Sequence, residues 1–100
     1  MWALHAPLAS PVGRSVAPQV MREVFGIHSY RSKQLPAMNA SMAGRDVILL
    51  LPTGGGKSLC YQLPALLGQG VTLVVSPLLS LINDQVLQLR ERNVQCEASE

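Results

Sequence analysis

Residues 46–58 read DVILLLPTGGGKS, and this stretch decides the fold. Residues 46–51, apolar after Asp46, are as long as a strand and lie between Gly44 and Pro52. A continuous apolar run of this length predicts a strand buried on both faces, as in a parallel sheet. A glycine-rich turn follows, and residues 57–67 then have the leucine spacing of a helix. Strand, loop and helix in this order begin a βαβ unit.

The loop between this strand and this helix has the composition of a phosphate-binding site. Consecutive glycines allow the backbone to curl so that several N–H groups point toward phosphate oxygens. The helix that begins near Lys57 adds its N-terminal N–H groups and its dipole. Lys57, the candidate catalytic residue, can reach the β- and γ-phosphates, and the Ser58 hydroxyl can bind Mg²⁺. The predicted nucleotide-binding residues of the loop are Thr53, Gly54, Gly55, Gly56, Lys57 and Ser58.

Two helices are predicted before this unit. The spacing of apolar residues indicates a helix over residues 17–25 and another over residues 32–43, each followed by a glycine. With Ser32 as the N-cap, Pro36 occupies the fourth helical position and removes an early hydrogen bond, so we expect a distorted first turn.

A second strand and a further helix follow the loop. Residues 71–75 predict another buried strand, and residues 78–90 have an apolar stripe typical of a helix. Pro64 should kink the preceding helix or end it early. The chain thus predicts an α/β fold with an incomplete parallel sheet, because two strands do not make a covered sheet.

Composition and charge exclude several classes of protein. The chain has 100 residues, of which 48% are hydrophobic and only 14% charged, which argues against disorder. A net charge of +2 is too small to indicate nucleic-acid binding by itself. Cys60 and Cys96 form neither a disulfide framework nor a zinc motif. No apolar run approaches the roughly 18 residues of a membrane span.

Three sequence blocks resemble the RecQ-type DNA helicases of superfamily two. The first is Phe25-Gly26 with Tyr30-Arg31 and Gln34, which looks like that family's motif zero. The second is residues 50–65, and the third is residues 75–81 with Asp84-Gln85, which looks like motif Ia. A strict phosphate-loop pattern would have glycine at Leu51, whereas the looser helicase pattern Thr-Gly-x-Gly-Lys-Ser fits.

The resemblance implies roles that spacing alone does not give. It implies a partial RecA-like domain that binds ATP and Mg²⁺, in which Gln34 hydrogen-bonds the adenine edge. Arg31 would stack on one face of the base and Ile27 on the other. Motif Ia would contact the DNA strand through Ser76 and Ser80, with small hydroxyls and backbone amides holding phosphate.

Composition and the resemblance together predict a domain division. Residues 1–17 have no clear periodicity and are expected to form a flexible N-terminal arm, and the polar residues 90–100 a frayed tail. The resemblance implies that residues 18–89 are part of the ATP-binding domain, and it also implies an activity. The expected activity is that of an ATP-dependent 3′–5′ DNA helicase in the nucleus (in the cytoplasm if the source is bacterial). Its expected partners are ATP, DNA and the rest of a helicase core, without a membrane.

Two alternatives to this activity stay open at this point. The 100 residues contain no Asp-Glu-x-His block to hold Mg²⁺ and orient water, and no second domain to supply an arginine finger. The chain could therefore be a truncated variant with at most weak nucleotide binding and no catalysis. The other alternative is an unrelated P-loop nucleotide-binding protein.

Overall fold

The computed structural model describes residues 1–6, 16–31, 33–52, 56–68 and 70–98. Within these ranges the chain forms helices and short strands, so the predicted α/β class is confirmed. In chain order the elements are β1 (Trp2–His5), α1 (Ala17–Phe25), α2 (Gln34–Met42), α3 (Leu59–Leu67), β2 (Val71–Val74), α4 (Leu79–Glu91) and β3 (Cys96–Ala98).

The described strands form one sheet in the order β2-β1-β3, and both pairings are antiparallel. Leu4 is paired with Thr72 on one side and with Cys96 on the other. β2 and β3 therefore run in the same direction, connected by α4, but they are not neighbours because β1 lies between them. The predicted parallel sheet is wrong in this respect.

The first residues of the chain form a strand, whereas a flexible arm was predicted there. Trp2 and Leu4 are 1% and 0% exposed, and they occupy the central strand of the sheet. The reason is a short period-two pattern, in which Trp2 and Leu4 alternate with Ala3 and His5 and so point to one face. Residues 7–15 of the expected arm lie outside the described residues. At the other end of the chain, β3 falls in the expected frayed tail.

The predicted strand over residues 46–51 is also wrong. These residues, all described, form neither helix nor strand, and Ile48 and Leu50 are 94% and 80% exposed. The position beside β2 that they were expected to fill is taken by β1. β2 forms as predicted but is not buried on both faces, since Val71 and Leu73 are 54% and 63% exposed.

Pro36 and Pro64 disturb their helices less than predicted. α2 begins at Gln34 with Lys33 as its N-cap, so Pro36 is in the first turn, where a missing N–H removes no helical hydrogen bond. Ser32, the expected N-cap, lies outside the described residues. α3 continues through Pro64 to Leu67, so the predicted early end is wrong. At α1 the predicted stop at Gly26 is confirmed, with a left-handed φ of 67°.

Two apolar clusters hold the elements together. One lies between the sheet and the helices α3 and α4, and the other joins α1, α2 and α3. Val20 and Phe25 of α1 pack against both clusters, which fixes the start of the loop that follows α1. The buried members of the first cluster are Trp2, Leu4, Ala65, Leu66, Ile82, Val86, Leu89, Val94 and Cys96. Those of the second are Ala17, Met21, Met38, Leu59, Leu63 and Leu67.

Candidate nucleotide site

Gln34 ties the start of α2 to the phosphate-loop sequence. Its backbone N–H donates to the Arg31 carbonyl at 2.9 Å, and the Arg31 N–H donates to Gln34 Oε1 at 2.7 Å. The other end of the same amide, Nε2, donates to the Gly56 carbonyl at 3.0 Å. Gln34 is 2% exposed. A buried amide satisfied at both ends fixes the spacing between residues 31 and 56.

Gly56 is required at its position for two reasons. Its φ is +83°, a left-handed conformation that disfavours any residue with a Cβ. A Cβ at Gly56 would also collide with Nε2 of Gln34. The close approach of the loop to Gln34 therefore depends on this glycine. Thr53, Gly54 and Gly55, the other predicted residues of the loop before Lys57, lie outside the described residues.

A cavity of about 490 Å³ lies beside this amide. Its volume is in the range of small-molecule sites in proteins. It brings together five predicted site residues that are far apart in sequence, namely Ile27, Arg31, Gln34, Gly56 and Ser58.

A second cavity of about 540 Å³ lies next to the first. It contains Lys57, which is exposed and does not line the first cavity. Four residues line both cavities, and they form the common wall: Arg31, Gly56, Ser58 and Gln85. Lys57 thus lies in a cavity beside the glutamine-lined one and not within it.

The first cavity also contains residues that the sequence did not predict as site residues. Gln85 accepts a hydrogen bond from the Tyr61 hydroxyl at 2.6 Å and so connects α4 to α3. Burial raises the pKa of Tyr61, and the hydrogen bond with Gln85 partly opposes that shift. Because Gln85 belongs to the third block, its sequence context pointed only toward DNA. The other unpredicted lining residues include Phe25, Gln62, Gln88 and Arg92.

The Arg92 side chain reaches the cavity from the end of α4. Its guanidinium lies 5.8 Å from the centre of the Phe25 ring, within the range of a cation–π interaction. No sequence motif pointed to Arg92, because only folding brings the end of α4 against the end of α1.

Cys60 lies in the first turn of α3. Its thiol is 3.7 Å from the Gly56 carbonyl, and burial raises the pKa of the thiol.

Among the described residues there is no group of three or more His, Cys, Asp or Glu that could hold a metal ion. A cation here would have the Ser58 hydroxyl and the oxygens of a bound phosphate as its ligands, a donor set that suits Mg²⁺.

The two predicted DNA-contacting serines are not part of either cavity. The Ser76 hydroxyl accepts a hydrogen bond from the Leu78 N–H at 3.3 Å, just before α4. Ser80 is exposed in the first turn of α4. Both hydroxyls therefore lie close to the N-terminus of one helix, α4.

A family model described as DEAD/DEAH box helicase matches residues 31–99. The chain therefore belongs to the DEAD/DEAH box helicase family. The match begins at Arg31 and includes the phosphate loop and α4. The alternative of an unrelated P-loop protein is wrong.

Within that family, the chain is similar to curated DNA helicases of the Q and RecQ type. The chain is 61% identical to ATP-dependent DNA helicase Q-like 4B of Arabidopsis thaliana over 71 residues, which are 71% of this chain and 6% of that protein. It is 52% identical to ATP-dependent DNA helicase Q1 of Rattus norvegicus over 75% of this chain and 12% of that protein. Identity to ATP-dependent DNA helicase RecQ of Haemophilus influenzae is 44% over 94% of this chain and 15% of that protein. The resemblance to RecQ-type helicases is confirmed.

The chain spans only a small part of these relatives, between 6% and 15% of their lengths. No helix in the described part of the chain is long and apolar enough to cross a membrane.

Proposed function

We propose that this chain binds ATP with Mg²⁺ as part of an ATP-dependent 3′–5′ DNA helicase. The observation that carries the proposal is the Gln34–Gly56 hydrogen bond, which joins the motif-zero residues to the phosphate loop. Gly56 lines both of the adjacent cavities. The base would occupy the cavity that Ile27, Arg31 and Gln34 line, and the phosphates the cavity that holds Lys57.

Gln34 would bind the adenine edge through the hydrogen-bonding positions of its amide that the protein itself does not use. One N–H of Nε2 and one lone pair of Oε1 are not used by the bonds to Gly56 and Arg31. An adenine edge presents an acceptor and a donor to such an amide. Arg31 and Ile27 would cover the two faces of the base, Arg31 by stacking its planar guanidinium.

The phosphate groups would be bound by the beginning of α3. The Lys57 ammonium supplies charge, and the loop amides and the helix N-terminus supply N–H donors. The Ser58 hydroxyl would be a ligand of Mg²⁺. When bound, the ion would neutralise phosphate charge.

The remaining parts of the proposal concern DNA and cellular location. Ser76 and Ser80 would hold a DNA phosphate at the N-terminus of α4, which positions the strand without reading its sequence. The names of the relatives support a DNA substrate. We further propose a nuclear location and a role in DNA repair and recombination, in contact with the rest of a helicase core.

Binding of a fluorescent ATP analogue, followed by anisotropy, tests the nucleotide site. Lys57→Ala should weaken binding at least tenfold, because it removes the positive charge that faces the phosphates. Lys33→Ala is the matched control, since Lys33 is the other lysine of the chain and lines neither cavity. Equal binding by the two variants would show that the phosphates do not bind at Lys57.

Hydrolysis is a separate question from binding. The acids after the loop are Asp84, Glu91, Glu97 and Glu100, and none follows a buried strand. We therefore expect these 100 residues alone to bind ATP without turnover, as the truncated-variant alternative also requires. ATPase activity measured with and without single-stranded DNA checks this. Stimulated turnover on the order of 1 s⁻¹, an ordinary enzyme rate, would contradict it.

A further inference from the structure

The boundary between the two adjacent cavities is the place where a bound nucleotide would have its sugar. In any nucleotide the ribose joins the base to the phosphates. A nucleotide with its base in the first cavity and its phosphates in the second therefore has its ribose where the two cavities meet. The residues at that boundary are the four that line both cavities, namely Arg31, Gly56, Ser58 and Gln85.

Gln85 is the one residue of this common wall whose side chain has no part in the proposed binding of base, phosphate or Mg²⁺. Arg31 would stack on the base, Ser58 would be a ligand of the ion, and Gly56 has no side chain. Gln85 belongs to α4, so this helix brings an amide to the boundary. An amide both donates and accepts hydrogen bonds, and so does each hydroxyl of a ribose.

Tyr61 fixes the orientation of this amide. Its hydroxyl donates to Gln85 Oε1 at 2.6 Å, and burial raises the pKa of Tyr61, so the hydroxyl keeps its proton at neutral pH. Among the described residues no hydrogen bond uses Nε2 of Gln85. Nor is Nε2 one of the buried atoms that lack a partner in the described part of the chain. Its two N–H groups are therefore accessible to a ligand.

We infer that Gln85 binds the ribose of the nucleotide, with Nε2 donating to the oxygen of the 2′- or the 3′-hydroxyl, and that Tyr61 is its positioning residue. The inference rests on the proposed function, and it adds a specificity to that site. A nucleotide that lacks the hydroxyl leaves the Gln85 N–H without its partner. The site therefore takes ribonucleotides in preference to the corresponding deoxynucleotides.

Competition on the full chain tests this preference. ATP, 2′-deoxy-ATP and 3′-deoxy-ATP each displace a fluorescent ATP analogue that is labelled at its γ-phosphate, so that its ribose is unmodified. One of the two deoxy compounds should bind about fivefold more weakly than ATP, the effect of one hydrogen bond, and it identifies the hydroxyl. Equal affinities for all three would overturn the inference and leave the proposed function standing. No binding of the ATP analogue would overturn both.

Gln85→Met assigns the preference to its residue. The variant removes both N–H groups, keeps the length of the side chain and adds no charge. It should weaken the binding of ATP to that of the deoxy compound, so that the ratio of the two affinities falls to about one. Gln95→Met is the matched control, because Gln95 is exposed and lines neither cavity, and it should keep the ratio. An unchanged ratio in Gln85→Met would overturn the inference.

Tyr61→Phe tests the orientation of the amide. The variant removes the hydroxyl that holds Oε1, so the ratio should fall part of the way toward one. The ratio guards against a variant that is partly unfolded, since unfolded molecules lower the apparent affinity for all three nucleotides equally. A ratio in Tyr61→Phe as high as in the unaltered chain would overturn the positioning role of Tyr61.

Discussion

Gly56 cannot be replaced by another residue without cost, for two independent reasons. Its φ is left-handed, and a Cβ at this position would collide with Gln34. The sequence predicted glycine here because the loop would bind phosphate. The structure adds a second reason, the contact with Gln34, which forms without any ligand. Gln34 was predicted to face adenine, and in the structure both ends of its amide are hydrogen-bonded within the protein.

Gly56→Ala should lower the free energy of unfolding by more than Gly44→Ala does. Both glycines have φ above +80°, but a Cβ at Gly44 meets nothing within 4 Å, whereas one at Gly56 meets Gln34. Gly44→Ala should cost about 1–2 kcal/mol for the left-handed backbone alone. Gly56→Ala should cost about 1 kcal/mol more, because the Gln34 hydrogen bond is also lost. Urea unfolding measures both, and equal losses would mean that the Gln34 contact contributes nothing.

At the scale of elements, the helices were predicted better than the strands. Helix spacing and glycine stops depend on local interactions, so α1 ends directly before Gly26 as predicted, and α3 lies within the predicted helical range 57–67. Strands depend on which partner lies alongside them. Residues 46–51 have the composition of a strand, yet in this structure β1 takes the place beside β2.

Pro64→Ala should stabilise α3, whereas Pro36→Ala should have little effect. Pro64 lies inside the helix, where it lacks the N–H that would donate to the Cys60 carbonyl. Pro36 lies in the first turn of α2, where that N–H has no helical acceptor. An interior proline costs up to about 3 kcal/mol relative to alanine, so a gain of about 1 kcal/mol or more is expected at Pro64. Thermal unfolding checks this, and equal effects of the two variants would contradict it.

At the scale of the whole molecule, the apolar surface is the dominant feature. The outer side of β2, the residue just after it, and residues 47–51 leave large hydrophobic side chains in water, including Ile48, Leu50, Leu73 and Val75. Hydrophobic residues make up 48% of the sequence, and the core buries only part of them. The stability of such a chain is expected to be marginal.

Alkaline pH should lower the free energy of unfolding of the whole chain. Burial raises the pKa of the Cys60 and Cys96 thiols above their ordinary value of 9.0, although the Arg90 charge partly opposes the shift at Cys96. The folded state then holds these protons more tightly than the unfolded state. Their contribution is fully present below pH 9.0 and is lost as the pH rises through the raised pKa values.

Urea titrations at neutral pH and above pH 9.0 measure this loss. Cys60→Ala and Cys96→Ala should each flatten the dependence, after allowance for the cost of the substitution itself at neutral pH. A free energy of unfolding that rises over the same range would contradict the expected direction.

The sequence by itself determined the helices, the glycine loop and the membership in the helicase family, because these depend on local spacing and on contiguous motifs. The two-cavity arrangement of Arg31, Gln34, Lys57 and Ser58 followed from those motifs only in part. Tertiary structure alone decided that Gln85 and Arg92 join the site and that Trp2–His5 lies at the centre of the sheet. Strand pairing is a competition between segments for one set of hydrogen bonds, and its outcome depends on the whole fold.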